Sequence, residues 1–117
     1  NREFRLAMGE FIYNFPAGLA DEGEDLDISA ARELREETGL KLVRIDEWMK
    51  ESYSAEGICD EMGVVCVGVA EGEPIPSPDP VEEIQAAWYT KEEVRELLQK
   101  ERFSGRTQLY AYMWAKE

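Results

Sequence analysis

The pattern of apolar and polar residues predicts several short strands in the first two thirds of the chain. Over residues 4–8, large apolar side chains alternate with polar or small ones, which is the two-residue period of a strand. Segments 40–52 and 62–70 predict two further strands, the second rich enough in valine to lie inside a sheet. We expect segment 9–14 to turn the chain after its first strand, and segment 53–61 to form a loop.

Two helices are indicated by the signals at their ends. Apolar residues recur at helical spacing over 27–38, and Gly39 stands where a helix end favours a residue in the left-handed conformation. Thr90 and Glu93 match a capping box, which opens a second helix that ends near Lys100. Strands and helices therefore alternate, which predicts one α/β domain over the whole chain.

A proline-rich loop and a short strand precede the second helix. Four prolines lie within 71–81, and because proline cannot donate to a strand ladder, we expect an extended, exposed loop there. Segment 84–89 resumes a strand. A last helix carries large apolar residues at helical spacing, which we expect to pack in the core against the sheet: Leu109, Tyr110, Met113 and Trp114.

Composition narrows the possible chemistry. The chain has 26 acidic and 13 basic residues, and its formal net charge of −13 repels the phosphate backbones of nucleic acids. It has no histidine, which excludes Ser-His-Asp and Cys-His catalytic arrangements and His-ligated zinc. Cys59 and Cys66 flank a strand-like run that would hold them too far apart for a disulfide, so we expect a reduced, cytoplasmic protein.

Neither a membrane span nor a signal peptide is indicated. The chain contains no run of about 18 apolar residues and does not open with a basic and then apolar leader. It opens at Asn1 rather than at methionine, so we expect the intact protein to have further residues before it.

The helix predicted over 27–38 carries a cluster of carboxylates. Glu33, Glu36 and Glu37 are spaced i, i+3 and i+4, so they share one face of the helix, where like charges repel. A hard divalent cation such as Mg²⁺, held by oxygen ligands, would turn that repulsion into attraction. A solvated acidic face is the alternative, since glutamate is a good helix former.

The surrounding residues resemble the Nudix box. That box has the pattern G-x5-E-x7-R-E-U-x-E-E-x-G-U, in which U is a bulky aliphatic residue. Gly18, Glu24 and the run from Arg32 to Leu40 match all nine of its specified positions. The chain is therefore identified as a member of the Nudix hydrolase superfamily.

Two further segments resemble the branch of ADP-ribose and ADP-sugar pyrophosphatases. Segment 15–19, Phe-Pro-Ala-Gly-Leu, is similar to the residues that lead into the box in that branch. Segment 53–61 is similar to its Tyr-Pro-Ser-Pro-Gly-x-Ser/Thr-Asp-Glu loop, although both prolines are missing here. The family normally has additional strands before the position of Arg2, which contribute to a homodimer and to an adenine pocket. The resemblance therefore implies a homodimer and an intact protein with further N-terminal strands.

The resemblance implies a fold and an activity. The fold would be a mixed β-sheet sandwiched between α-helices. The activity would be Mg²⁺-dependent, or Mn²⁺-dependent, hydrolysis of the pyrophosphate bond of ADP-ribose or a related nucleoside diphosphate sugar, giving AMP and a sugar phosphate. A non-catalytic nucleotide-binding sensor and a Nudix hydrolase acting on a different nucleoside diphosphate derivative remain as alternatives. The substrate and the number of metal ions stay open.

The resemblance also implies the site residues. The predicted metal ligands are the main-chain carbonyl of Ala17 and the carboxylates of Glu33, Glu36 and Glu37. Glu24 and Arg32 would orient these carboxylates, and Arg32 is predicted to be a catalytic residue together with the glutamates. Gly18 would allow close approach of the backbone to the metal and substrate, with an ordinary turn glycine as the alternative.

Two further predictions concern residues outside the box. Arg5 resembles an arginine that contacts the substrate pyrophosphate, while an exposed strand charge is the alternative. The loop before Ile84 is expected to add a catalytic, metal-associated carboxylate. Aligning the following strand with the family favours Glu82 for this role, with Glu83 as its nearest competitor and a predicted substrate contact.

Overall fold

The computed structural model describes residues 1–5, 9–58, 61–75 and 84–117. The described strands are β1 (Arg2–Arg5), β2 (Glu10–Tyr13), β3 (Lys41–Trp48), β4 (Ser52–Tyr53), β5 (Met62–Gly63), β6 (Cys66–Glu71) and β7 (Ile84–Gln85). The helices are α1 (Leu26–Thr38), α2 (Lys91–Lys100) and α3 (Gly105–Lys116). The chain combines helices with antiparallel sheets, which confirms the predicted α/β class, although five described strands follow one another between α1 and α2.

The first sheet has the strand order β2-β1-β7, and both of its pairings are antiparallel. The prediction that 9–14 is only a turn was wrong, since Glu10–Tyr13 forms β2 and pairs along the length of β1. Gly9, with φ of 66°, lies in the left-handed region just before β2. The sequence of β2, Glu-Phe-Ile-Tyr, is rich in residues that favour strands, and β1 pairs with one edge of it.

The other two sheets are antiparallel pairs, β3-β6 and β4-β5. They correspond to the strands predicted over 40–52 and 62–70, but each of those segments is divided into two strands. Within the described ranges, β6 pairs with β3 alone, and its apolar side chains are partly exposed. The expected position of this valine-rich strand inside a sheet is therefore not found.

Helix α1 has the boundaries that its sequence predicted. Its N-cap residue, Asp25, accepts a hydrogen bond from the backbone N–H of Asp27, and Gly39 ends the helix with φ of 78°. The helix is attached to β3 by Trp48, whose indole N–H donates to a carboxylate oxygen of Asp27 at 2.7 Å. This hydrogen bond joins the first turn of α1 to the end of β3.

Helices α2 and α3 pack against each other at the other end of the chain. The capping box of Thr90 and Glu93 is present, as predicted. Arg95 of α2 donates to the main-chain oxygen of Ala115 in α3 at 2.6 Å. Ala111 and Ala115 are buried, because small side chains on this face of α3 allow close packing.

The expected burial of the large apolar residues of α3 was wrong. Leu109 is 67% exposed and Met113 54% exposed, whereas Thr107, Ala111 and Ala115 form the buried side of the helix. Among the large residues, Tyr110 is partly buried and packs its ring edge-on against Phe15 at 5.6 Å. The four-residue spacing of small residues, rather than that of large ones, decides which face is covered.

Some predictions fall partly or wholly outside the described residues. The proline-rich loop is described only as far as 75, and Cys59 and residues 6–8 are not described. The strand predicted over 84–89 is found only as Ile84–Gln85. Cys66 is a free thiol, and burial raises its pKa. No helix in the described part of the chain is long and apolar enough to cross a membrane.

The cap of α2 generates a stability prediction. Thr90→Ala removes the side-chain acceptor for the backbone N–H of Glu93, so the free energy of unfolding should fall by about 1 kcal/mol in urea denaturation. Thr90→Ser is the matched control, because it keeps a hydroxyl at this position. Equal stabilities for the alanine variant and the wild type would contradict the role of the cap.

Candidate active site

Arg32 is the centre of the polar cluster on helix α1. Its guanidinium donates to Glu24 through Nε at 3.2 Å and through Nη2 at 3.0 Å. Both nitrogens reach the same carboxylate, which is the two-pronged geometry that arginine favours. Nη2 also donates to the main-chain oxygen of Leu19 at 3.2 Å. Arg32 thereby ties the loop before α1 to the first half of the helix.

Glu24 is held in its charged form by this cluster. Its side chain is only 16% exposed, and it accepts further hydrogen bonds from the hydroxyl of Ser29 at 2.6 Å and the backbone N–H of Asp21 at 3.2 Å. The hydrogen bonds from Arg32, and next that from Ser29, lower the pKa of Glu24 from 4.5 to about 2. The same contacts raise the pKa of Arg32. The pair is therefore ionised at every physiological pH.

Two predicted metal ligands also contact Arg32. Its Nη1 donates to Glu33 at 2.9 Å and to Glu36 at 3.3 Å. One cation thus offsets part of the repulsion between carboxylates that the spacing of α1 creates. Because Glu24 anchors the guanidinium from its other side, the positions of Glu33 and Glu36 depend on the ion pair between Arg32 and Glu24.

Gly18 lies directly against the carboxylate of Glu33. A side chain at this position would overlap the Glu33 carboxyl group, so the close approach requires glycine. Gly18 is not among the glycines of positive φ, which excludes a left-handed turn as the reason for glycine here. The backbone of segment 17–19 therefore passes next to the acidic face.

Glu37 contacts Ala17, the residue before Gly18. It accepts a hydrogen bond from the backbone N–H of Ala17 at 2.9 Å and a longer one from the side-chain amide of Asn1 at 3.4 Å. Glu37 is partly buried. The structure thus brings Ala17 and Glu37, both predicted metal ligands, into direct contact.

The donor set suits a hard divalent cation, but its members do not converge on one point. Carboxylate and carbonyl oxygens are the ligands that Mg²⁺ prefers, and the absence of a side chain at Gly18 leaves room for the Glu33 carboxylate. Within ranges 1–5, 9–58, 61–75 and 84–117, no three acidic, cysteine or histidine side chains are grouped to hold a metal ion. Glu33 and Glu36 accept hydrogen bonds from Arg32, while Glu37 accepts one from the N–H of Ala17. The ligand set therefore stays a prediction.

Among the described residues, Arg5 is the predicted site residue that is not seen to contact this cluster. The Arg5 side chain is 55% exposed, and its described ion pair is a loose one with Glu3 at 4.0 Å. Glu82 and Glu83 lie outside the described residues. Their predicted roles in substrate binding and catalysis are therefore untested.

Sequence reasoning did not identify several polar residues that support the cluster. Ser29 donates to Glu24, and Asn14 and Thr107 form a hydrogen bond beside the segment that leads to Gly18. A serine or threonine within a helix carries no signal of its own in a single sequence. Ser29 and Thr107 are both buried, which only the packing of the helices reveals.

Comparison with known proteins shows one family over most of the chain. The model of the NUDIX domain matches residues 4–112. An ADP-ribose pyrophosphatase of Bacillus subtilis (strain 168) is 37% identical over 73 residues, which are 60% of this chain and 36% of that protein. The ADP-sugar pyrophosphatase of Mus musculus is 48% identical over 40 residues, 34% of this chain and 18% of the relative.

One relative is named for a different activity. The RNA pyrophosphohydrolase of Caulobacter vibrioides (strain NA1000 / CB15N) is 44% identical over 50 residues, 39% of this chain and 29% of that protein. The matches with these three curated relatives span between 18% and 36% of each relative's own length.

The low pKa of Glu24 generates a prediction about pH. Its folded pKa of about 2 lies below the ordinary 4.5, so its contribution to stability is complete above pH 4.5 and is lost as the pH falls toward 2. Glu24→Gln should therefore lower the urea midpoint at pH 7, and the difference from wild type should shrink as the pH falls from 4.5 toward 2.

The matched control for this measurement is Asp46→Asn. Asp46 pairs with Arg44 at 2.8 Å, but both side chains are largely exposed, so solvent screens the pair. This variant should differ little from wild type at any pH. If the urea midpoints of Glu24→Gln and wild type differed by the same amount at pH 7 and at pH 2.5, the stabilising role of the ionised Glu24 would be contradicted.

Proposed function

The chain belongs to the Nudix family of hydrolases, and we propose that it hydrolyses the pyrophosphate bond of ADP-ribose or a related nucleoside diphosphate sugar. The products would be AMP and a sugar phosphate. We propose that residues 1–117 form a single Nudix domain of a cytoplasmic homodimer. The observation that carries the activity is the packing of Gly18 against Glu33, within the network that Arg32 makes with Glu24, Glu33 and Glu36.

Each residue of this network has a task in the proposed reaction. Glu24 keeps Arg32 oriented, and Arg32 holds Glu33 and Glu36 on the side of α1 that faces Gly18. Glu37, next to Ala17, supplies a third carboxylate. A divalent cation bound by these groups, Mg²⁺ or Mn²⁺, would activate water and neutralise phosphate oxygens.

The choice of a nucleoside diphosphate sugar rests on two kinds of support. Relatives from Bacillus subtilis and Mus musculus carry the names ADP-ribose pyrophosphatase and ADP-sugar pyrophosphatase. Arg5 has an exposed guanidinium that suits a pyrophosphate, and it lies on β1, the strand next to β7. The resemblance to an RNA pyrophosphohydrolase favours a second candidate, but a net charge of −13 disfavours long RNA as substrate.

A non-catalytic nucleotide sensor explains the acidic face less well. Like charges at i, i+3 and i+4 oppose the helix by a few tenths of a kcal/mol for each pair, and more where the side chains are partly covered. Glu33 is largely covered, and Glu37 is partly buried. A protein that only bound nucleotide would have no need for this cost, whereas a metal-dependent hydrolase needs the carboxylates.

The proposal is tested by product identification. The purified protein is incubated with ADP-ribose and MgCl₂, and AMP and ribose 5-phosphate are detected by mass spectrometry. Other ADP-sugars, dinucleotides and a 5′-triphosphorylated RNA complete the panel. Release of AMP from ADP-ribose supports the proposal, cleavage of another nucleoside diphosphate derivative alone redirects it to a different substrate, and nucleotide binding without cleavage supports the sensor.

Glu37→Gln tests the role of the carboxylate cluster. Glutamine is nearly as good a helix former and can still accept from the N–H of Ala17, but it removes a charge. We expect kcat to fall by several orders of magnitude, with stability in metal-free buffer unchanged within about 0.5 kcal/mol. Glu47→Gln, an exposed change on β3, is the control and should leave activity unchanged.

Two outcomes would remove this mechanism. A Glu37→Gln variant that keeps more than half of the wild-type kcat would take Glu37 out of the metal ligands. Full wild-type turnover in excess chelator would exclude a divalent cation from the reaction.

The paired acids before β7 provide a separate prediction. Ile84 is buried and pairs with Glu3 of β1, so it anchors the chain immediately after Glu83. If Glu82 supplies a carboxylate mainly in the transition state, Glu82→Gln should lower kcat far more than it weakens substrate binding. Glu83→Gln is the comparison variant, since Glu83 is the competing position and a predicted substrate contact. A crippled Glu83→Gln beside an active Glu82→Gln would move the role by one residue, and two active variants would show that neither acid takes part.

A further inference from the structure

The side-chain oxygen of Asn14 accepts hydrogen bonds from three donors. It accepts from the hydroxyl of Thr107 at 2.6 Å, from the hydroxyl of Ser104 at 3.1 Å and from the backbone N–H of Phe15 at 2.9 Å. The Phe15 N–H also points to the Thr107 hydroxyl oxygen, at 3.3 Å. Thr107 is buried within α3, so this contact joins two elements that are more than 90 residues apart in the sequence.

The backbone on either side of Asn14 is held as well. The N–H of Tyr13 donates to the main-chain oxygen of Arg102 at 2.8 Å, and the N–H of Ser104 donates to the main-chain oxygen of Tyr13 at 3.1 Å. The Tyr13 ring stacks on Phe103 with 5.4 Å between centroids. The start of α3 and the end of β2 therefore form one packed unit, and Asn14 joins this unit to Phe15.

A short, stiff link runs from this unit to Glu37. Phe15 is followed by Pro16, whose ring holds its own φ near −65°. The next residue, Ala17, donates its N–H to Glu37 at 2.9 Å. With so few free backbone angles between them, the position of the Phe15 amide determines where the Ala17 peptide meets the helix.

We propose that Thr107, acting through Asn14, is a positioning residue for the peptide of Ala17 and for its contact with Glu37. The inference rests on the proposed function, because Ala17 and Glu37 are the residues proposed there as metal ligands. Thr107 touches neither substrate nor metal in this arrangement. It sets the backbone from which the Ala17 carbonyl would reach the cation.

Thr107→Val tests this inference, because it removes the hydroxyl while keeping the shape of the side chain. Thr107→Ser keeps the hydroxyl and should behave as wild type. Thr90→Ala is a control for general loss of stability, since the Thr90 side chain caps α2 by accepting from the backbone N–H of Glu93. The first measurement is amide hydrogen exchange of Ala17 by NMR in metal-free buffer, which requires no activity. The second is kcat and KM with ADP-ribose and Mg²⁺.

Thr107→Val should raise the exchange rate of the Ala17 N–H by about tenfold, because its hydrogen bond to Glu37 is made less often. It should also lower kcat on the order of tenfold with little change in KM, while Thr107→Ser and Thr90→Ala keep wild-type values of both. If Thr107→Val does not fold, Ser104→Ala takes its place, because it removes another donor to the same Asn14 oxygen and should raise exchange about threefold.

The outcomes separate this inference from the proposed function. An Ala17 exchange rate equal to that of wild type in the valine variant would overturn the inference, as would an equal increase in Thr90→Ala. If Ala17 exchange rises as expected but the wild type cleaves no member of the substrate panel, the positioning contact stands and the proposed function fails.

Discussion

The arrangement of the acidic helix depends on the ion pair between Arg32 and Glu24. Sequence spacing places Glu33, Glu36 and Glu37 on one face of α1, where the three like charges repel one another. Arg32 changes the balance by donating to two of these carboxylates while Glu24 holds it from the other side. Removing Arg32 would leave the Glu24 carboxylate largely covered and without its main partner. Leaving a covered charge unpaired in this way lowers the stability of a protein strongly.

The same ion pair connects local structure to tertiary structure. Glu24 belongs to the loop before α1, and its contacts with Ser29 and Asp21 fold that loop back onto the first turns of the helix. Arg32 also donates to the main-chain oxygen of Leu19, and the neighbouring Gly18 packs against Glu33. The specified positions of the box are therefore complementary parts of one loop and helix. For Gly18, Glu24, Arg32 and Gly39, the contacts or the backbone conformation explain the residue type.

The helices were predictable from sequence because their ends are decided by neighbouring residues. Gly39 adopts the left-handed conformation that stops α1, and Thr90 with Glu93 starts α2 through hydrogen bonds within four residues. The recognition of the Nudix family was predictable for a similar reason, since its pattern lies within one continuous segment of 18–40. The strand Glu10–Tyr13 was missed, because a strand is stabilised by its partner, and β1 as a partner is not visible in the local pattern.

By itself, then, the sequence determined the α/β class, the ends of α1 and α2 to within a residue, the family and the positions of three carboxylates on one helix face. Only the tertiary structure decided what surrounds those carboxylates and which side of α3 is covered. Large residues such as Leu109 and Met113 matched a core pattern, yet the smaller Ala111 and Ala115 are buried, because close contact between helices favours the face with less volume. The contact of Asn14 with Thr107 likewise joins distant segments. Periodicity describes one element at a time, whereas such contacts depend on how two elements meet.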